Sequence, residues 1–164
     1  MGDGGESCSG GRLVVEPTGA TSTGTAGGGS FAAIRTGRVI QLRVRRLAEV
    51  ADVDRLTAAV ASAIDEAGPG ASICADFRGA SPLPPEVAKA WSRAMRKMNG
   101  SLVRSALLLD PANALFNLQL ERVVKCAGNP ARRLFPNMAD LQQWIAGALE
   151  GWERDAVGAF LSEG

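Results

Sequence analysis

The chain has 164 residues and a formal net charge of +1, which suits one domain with a single proper core and does not argue for a nucleic-acid partner. It contains no histidine and no tyrosine, which removes Ser-His-Asp and Cys-His catalysis, histidine general bases and nearly all histidine-containing zinc sites. Its cysteines, Cys8, Cys74 and Cys126, are far apart and form no CxxC, the usage of a reduced, intracellular protein.

Residues 1–30 are rich in Gly, Ser and Thr. They cannot bury enough apolar surface to offset their ordering entropy, so a flexible tail is expected, with Leu13-Val14-Val15 as its one candidate strand or docking strip. From Phe31 the pattern becomes regular. Phe31–Arg35 reads as a strand, Thr36-Gly37 as a turn, and Arg38–Arg45 as a second strand. Ile40, Leu42 and Val44 alternate with Gln41, Arg43 and Arg45, which predicts a half-exposed strand. A helix starting at Asp52 or Asp54 carries Leu56, Val60 and Ile64 and stops at Gly68-Pro69-Gly70.

The apolar run 71–77 is the next strand. It ends in Asp76-Phe77-Arg78-Gly79, and Pro84-Pro85-Glu86 opens a helix with Val87, Trp91, Met95 and Met98 on one stripe. That is how a buried parallel strand hands over to its crossover helix, and such strand ends are where open α/β sheets place their sites. Leu102–Leu109 is another apolar strand. Asp110-Pro111 predicts a helix start with Asp as N-cap and Pro at the first helical position. A short strand at 133–135 precedes the last helix, where Asn137 and Asp140 have capping-box spacing. A single apolar stripe then runs from Leu141 through Trp144, Trp152 and Phe160.

The order β-β-α-β-α-β-α-β-α predicts an α/β fold, one mixed β-sheet with an initial hairpin and then parallel strands, flanked by helices. The expected organisation is a tail at 1–30, a domain at 31–149 and a C-terminal helical extension at 150–164. Ala75-Asp76-Phe77-Arg78, Arg104-Ser105-Ala106 and the run from Leu134-Phe135 through Asp140 to Trp144-Ile145 resemble the STAS domain. This is the fold of bacterial anti-sigma-factor antagonists, and the likeness is closest to divergent STAS-like proteins grouped with lipid-transfer CRAL-TRIO domains. It covers about residues 31–148. The resemblance implies a regulatory protein that binds a protein partner. It stops at the phosphoacceptor, because Ser81-Pro-Leu-Pro-Pro-Glu86 stands where phosphorylated antagonists carry Asp-Ser-Ser-Gly. Ser81 is the only nearby hydroxyl, so serine phosphorylation of the standard kind is not expected.

Candidate site residues are few. Asp76 and Asp110 end parallel strands and Arg78 stands two residues beyond the first, so together they could bind an anion through Arg78 or a cation through the carboxylates. Alternatively, Asp110 caps a helix and Asp76 bonds the loop that follows it. Arg43, Arg45, Arg46, Arg132 and Arg133 read as solvated positions; no aromatics interleave with them as base stacking requires. Trp91 and Trp144 fit core packing. Trp152 and Phe160 lie past the expected end of the sheet, which predicts self-association or partner binding, unless that helix folds back on its own domain. Cys126, near a helix C-terminus, reads as an ordinary semi-buried thiol.

Three functions follow: a non-enzymatic STAS-like regulator acting by protein–protein binding through residues 77–86 and the next helix, with or without the tail, a small-molecule or lipid-binding module with its ligand between sheet and helices, or an enzyme using Asp76, Asp110 and Arg78. The first is favoured, since no general base with an orienting partner can be named. No cofactor, metal or nucleic acid is expected, and a homo-oligomer fits the C-terminal stripe. No segment reads as a membrane span or signal peptide, and the Arg-, Ala- and Gly-rich composition fits a GC-rich bacterium, so a bacterial cytoplasmic location is expected.

Overall fold

The structure is a computed structural model that describes Thr21–Gly24 and residues 29–164. One sheet holds β1 (Thr21–Gly24), β2 (Ser30–Thr36), β3 (Val39–Arg46), β4 (Ser72–Asp76), β5 (Arg104–Leu108) and β6 (Arg132–Phe135), in that spatial order. The first three pair antiparallel and β3 to β6 pair parallel. Helices α1 (Val50–Ala67), α2 (Pro85–Lys97) and α3 (Ala114–Ala127) make the crossovers, and α4 (Met138–Ala146) and α5 (Gly151–Ser162) follow. The mixed α/β sheet with an initial hairpin is therefore as the sequence predicts. No helix among the described residues is long and apolar enough to cross a membrane.

The strand order explains where the helices lie. Each crossover advances one strand in the same direction, and crossovers of one hand then leave their helices on one face. The larger core accordingly joins Ile40, Leu42, Ile73 and Leu107 to Leu56 and Val60 of α1, Trp91 and Met95 of α2, and Phe116 and Leu120 of α3. At its centre Phe77 meets Trp91 edge-on, ring centroids 5.4 Å apart, and Phe116 at 5.7 Å. The opposite face would be bare. It is covered by α4 and α5, whose Leu141, Ile145, Val157, Phe160 and Leu161 bury Val39, Cys74, Ala106 and Leu108.

That second layer corrects several expectations. The apolar stripe from Leu141 to Phe160 is not continuous, because the chain leaves helix between Ala146 and Gly151 and α5 packs back on the sheet. Residues 150–164 thus belong to the domain instead of extending from it, and Phe160 is core, 6 % exposed. Under this cover β3 is not half exposed: Gln41 is buried and Arg43 and Arg45 are partly so. The β2–β3 turn has to let α5 in. Gly37 has φ +60°, and a Cβ there would lie 2.3 Å from the Trp152 ring and 2.5 Å from the Glu153 carboxylate.

Helix starts differ too. Helix α1 begins at Val50 with Glu49 as N-cap, and Asp52 returns the capping box from its third position. Helix α3 begins not after Asp110 but at Ala114, with the Asn113 side chain accepting from the Phe116 N–H at 3.3 Å. In α4, Asn137 caps as predicted, accepting from the Asp140 N–H at 2.9 Å. Within the segment expected as tail, Thr21–Gly24 forms the edge strand β1 against β2. Backbone pairing at an edge needs no aliphatic pattern, so composition gave no sign of it. Leu13–Val15 lie outside the described residues.

Candidate functional site

Period two along β4 puts Ser72, Cys74 and Asp76 on the α4–α5 face, and Asp76 is fully buried there. Arg43, its register partner on β3, donates Nε to Asp76 Oδ2 at 3.1 Å. Arg78 reaches back with Nε to Oδ1 at 2.9 Å and Nη2 to Oδ2 at 3.1 Å, and its backbone N–H donates to Oδ1 at 3.0 Å. Arg45 Nη2 approaches Oδ2 at 3.5 Å. Burial alone would raise the Asp76 pKa, but the Arg78 and Arg43 hydrogen bonds outweigh it and hold the carboxyl below its ordinary range.

The outer ends of these arginines hold α5. Arg43 Nη2 donates to the Phe160 carbonyl at 2.6 Å and Arg78 Nη2 to the Leu161 carbonyl at 2.7 Å. Both carbonyls lie in the last turn, which lacks intrahelical donors and favours a cation. The Arg43 guanidinium also covers the Phe160 ring, 4.5 Å from its centroid. At the other end of α5 the buried Glu153 accepts from the Arg38 backbone N–H at 2.7 Å and from the Glu150 N–H at 2.8 Å. Most of the arginines expected at solvated positions are instead engaged. Arg43 and Arg45 serve Asp76, buried Arg132 donates to Asn99 Oδ1 at 3.1 Å on the other face, and Arg133 lies over the Trp144 ring.

Asp110 does not join Asp76. Its Oδ2 accepts from the Gly79 N–H at 2.9 Å and its Oδ1 from the Ala112 N–H at 3.0 Å, and these two bonds lower its pKa. It ties the loop after β4 to the loop after β5. Asp76 already accepts two or more donors on each oxygen, and a carboxyl so stabilised as an anion is a poor proton acceptor. The Cys74 thiol, buried beside Asp76, is pushed up to about 12 by burial and then by that negative charge. This cluster is built as a brace between sheet and α5.

The same loop braces a different surface. Its backbone is stitched to α3: the Leu83 N–H donates to Gln119 Oε1 at 2.8 Å, Gln119 Nε2 returns to the Leu83 carbonyl at 2.9 Å, and Asn113 Nδ2 donates to the Ala80 carbonyl at 2.6 Å. Along the helices, Ser92 Oγ donates to the Val123 carbonyl at 3.3 Å, and Asn99 Nδ2 to the Ala127 carbonyl at 2.7 Å. Tied at both ends and in the middle, α2 and α3 enclose an open groove of about 450 Å³. Pro85, Ala88 and Val123 supply its apolar lining, and Lys89, Arg93 and Arg122 its charge. No ion pair among the described residues engages those three cations. Cys126 opens into the groove and is exposed, not semi-buried. Ser81 is exposed in the loop before α2, its N–H donating to the Arg45 carbonyl at 2.8 Å. Trp152 is 52 % exposed at the start of α5, apart from buried Phe160, so the two do not form one docking stripe.

The sequence singles out Arg78, Asp76 and Asp110, and residues 77–86 with the next helix as a partner surface, but not the contribution of α3 that makes the groove. The available signal was the i, i+4 pair Lys89 and Arg93 on α2 and Arg122 on α3, with few acids between them. Inside the larger core the residual space is about 30 Å³, lined by Leu42, Trp91 and Met95 among others, against roughly 300 Å³ or more for a small-molecule pocket. No protein-family model, curated protein or solved structure matches the chain.

Proposed function

We propose that this chain is a non-enzymatic, STAS-like regulatory protein that acts by holding a protein partner on the face formed by the loop 77–84, α2 and α3. The observation that carries this reading is the groove: rigidly braced, open, apolar in its lining and flanked by three cations without ion-pair partners. Such a surface suits an acidic protein segment. The filled interior argues against a lipid or small molecule held between sheet and helices, the open helix-walled groove suits a protein segment, and the saturation of Asp76 supports binding over catalysis. Exposed Ser81 at the edge of this face lacks the neighbouring motif of a phosphorylated antagonist, so partner control is proposed to run without serine phosphorylation there.

The test is photo-crosslinking in the cell of origin, with benzoylphenylalanine placed at Ala88 in the groove or at exposed Gln143 on α4. A discrete protein adduct from Ala88, absent from Gln143 and lost when Arg93→Glu and Arg122→Glu are combined, is the expected result. Equal adducts from both positions, or none from Ala88, would overturn the reading.

A further inference from the structure

We infer that the segment seated in the α2–α3 groove is an acidic amphipathic helix of the partner protein; the inference rests on the reading above and adds the shape and chemistry of what binds. The reason is backbone accounting. An extended segment carries unpaired N–H and C=O groups and needs polar partners wherever it is buried. The groove offers those N–H groups almost no acceptor, since its free polar side chains, Lys89, Arg93 and Arg122, only donate. Its walls are two helices whose own backbones are internally bonded. Ser92 Oγ is already used on the Val123 carbonyl, and both ends of the Gln119 amide on Leu83. A helix satisfies its own backbone and can lie on such walls without stranding a donor.

The dimensions agree. The lined stretch runs over residues 85–93 of α2 and 119–126 of α3, about 12 Å at 1.5 Å per residue, so the groove accepts about two turns of a third helix. Small Ala88 and Ser92 permit a close approach, and exposed Leu115 and Leu118 stand one helical turn before Gln119 and Arg122 on α3. Lys89 and Arg93 flank the groove from α2 and Arg122 from α3. The matching helix therefore carries an apolar stripe at i, i+3/i+4, i+7 with Glu or Asp on both sides of it. Nucleic acid fits less well, because the groove is lined by no aromatic residue on which a base could stack. A membrane surface fits less well because the groove is concave.

The experiment uses fluorescence anisotropy with the full chain and a labelled helical peptide of about 14 residues, Leu on one stripe and Glu on both flanks. The comparison ligands are a scrambled peptide of identical composition, oligouridine RNA and anionic phosphatidylglycerol vesicles. The expected result is saturable binding of the amphipathic peptide, at least about tenfold weaker for the scramble. Binding should weaken by a similar factor with Ala88→Trp, which fills the groove, and with Arg93→Glu plus Arg122→Glu. Circular dichroism and melting establish that each variant is folded. Equal binding of the scramble, indifference to Ala88→Trp, or preference for RNA or vesicles would overturn the inference. Its failure is separable from that of the function. A crosslinked native segment that is acidic but extended would sink the helix and leave protein binding standing, whereas no protein adduct from Ala88 would sink both.

Discussion

The two faces of the sheet are held by different physics. Under α1, α2 and α3 the core is large and aromatic at its centre, and its buried charges are few: Asp52, paired with Arg55, and Arg132, bonded to Asn99. Under α4 and α5 the apolar cluster is smaller, and buried ions supplement it: Asp76 with its arginines, and Glu153 capping Arg38 and Glu150. The first face can therefore leave its outer surface to a partner, since nothing outside α2 and α3 is needed to hold them down. The second spends its polar groups internally. The strand-end acid that looks most like a catalytic or ligand-binding group is on that second side, and is used to attach a helix.

This contrast can be broken first at the centre of the larger core. Trp91→Ala should cost about 4 kcal/mol, as aromatic truncation in a close-packed core does, lowering the denaturation midpoint of the whole domain in one transition. Asp76→Asn should cost less, about 2 kcal/mol: breaking a buried pair is expensive, but its arginines are partly solvated and share the loss with water. The distinguishing feature is locality. Hydrogen exchange should accelerate in α5 well before α2 and α3 respond; uniform acceleration would show that the two faces are not separable.

Acid should act through the same residue. The Asp76 carboxyl titrates below its ordinary value of 3.8, so its contribution is complete above that value and is lost as pH falls through the lower folded-state value. Wild type should lose stability steeply in that acidic window, whereas Asp76→Asn should show a shallower fall. Parallel curves would contradict the brace. The smallest effect is expected at Trp152. Half exposed and away from the buried cluster, Trp152→Ala should change stability by under about 0.5 kcal/mol. Light scattering at matched concentrations will reveal whether that ring contributes to self-association on its own.

What could be read from the sequence follows the same division. Alternation along Ile40, Leu42 and Val44 and helical spacing along Leu56, Val60 and Ile64 report burial against a single neighbouring layer, and these elements lie where periodicity predicts. The second layer left an equivalent stripe at Leu141, Ile145, Val157 and Phe160. Its destination depends on the hand and order of the crossovers, which leave one sheet face empty, and no local pattern encodes that. The Asp110-Pro111 signal was misleading for a related reason. Gly79, more than thirty positions away, offers Asp110 an N–H, and Asn113 takes over as the cap. The arginines at 43 and 45 read as a solvated face because alternation cannot see a helix arriving from residues 151–162. The groove escaped notice because it belongs to two helices brought side by side by the sheet, and neither sequence segment is unusual alone.

The most direct test of the account sets the binding face against the brace in one crosslinking measurement. The yield of the Ala88 protein adduct is compared in the Arg93→Glu, Arg122→Glu background and in Asp76→Asn, below the melting temperature of both. The adduct should disappear in the first, whose melting is unchanged, and persist in the second, whose stability is reduced. An adduct that survives reversal of the groove charges, or that vanishes with Asp76→Asn while α2 and α3 keep their exchange protection, would contradict the account.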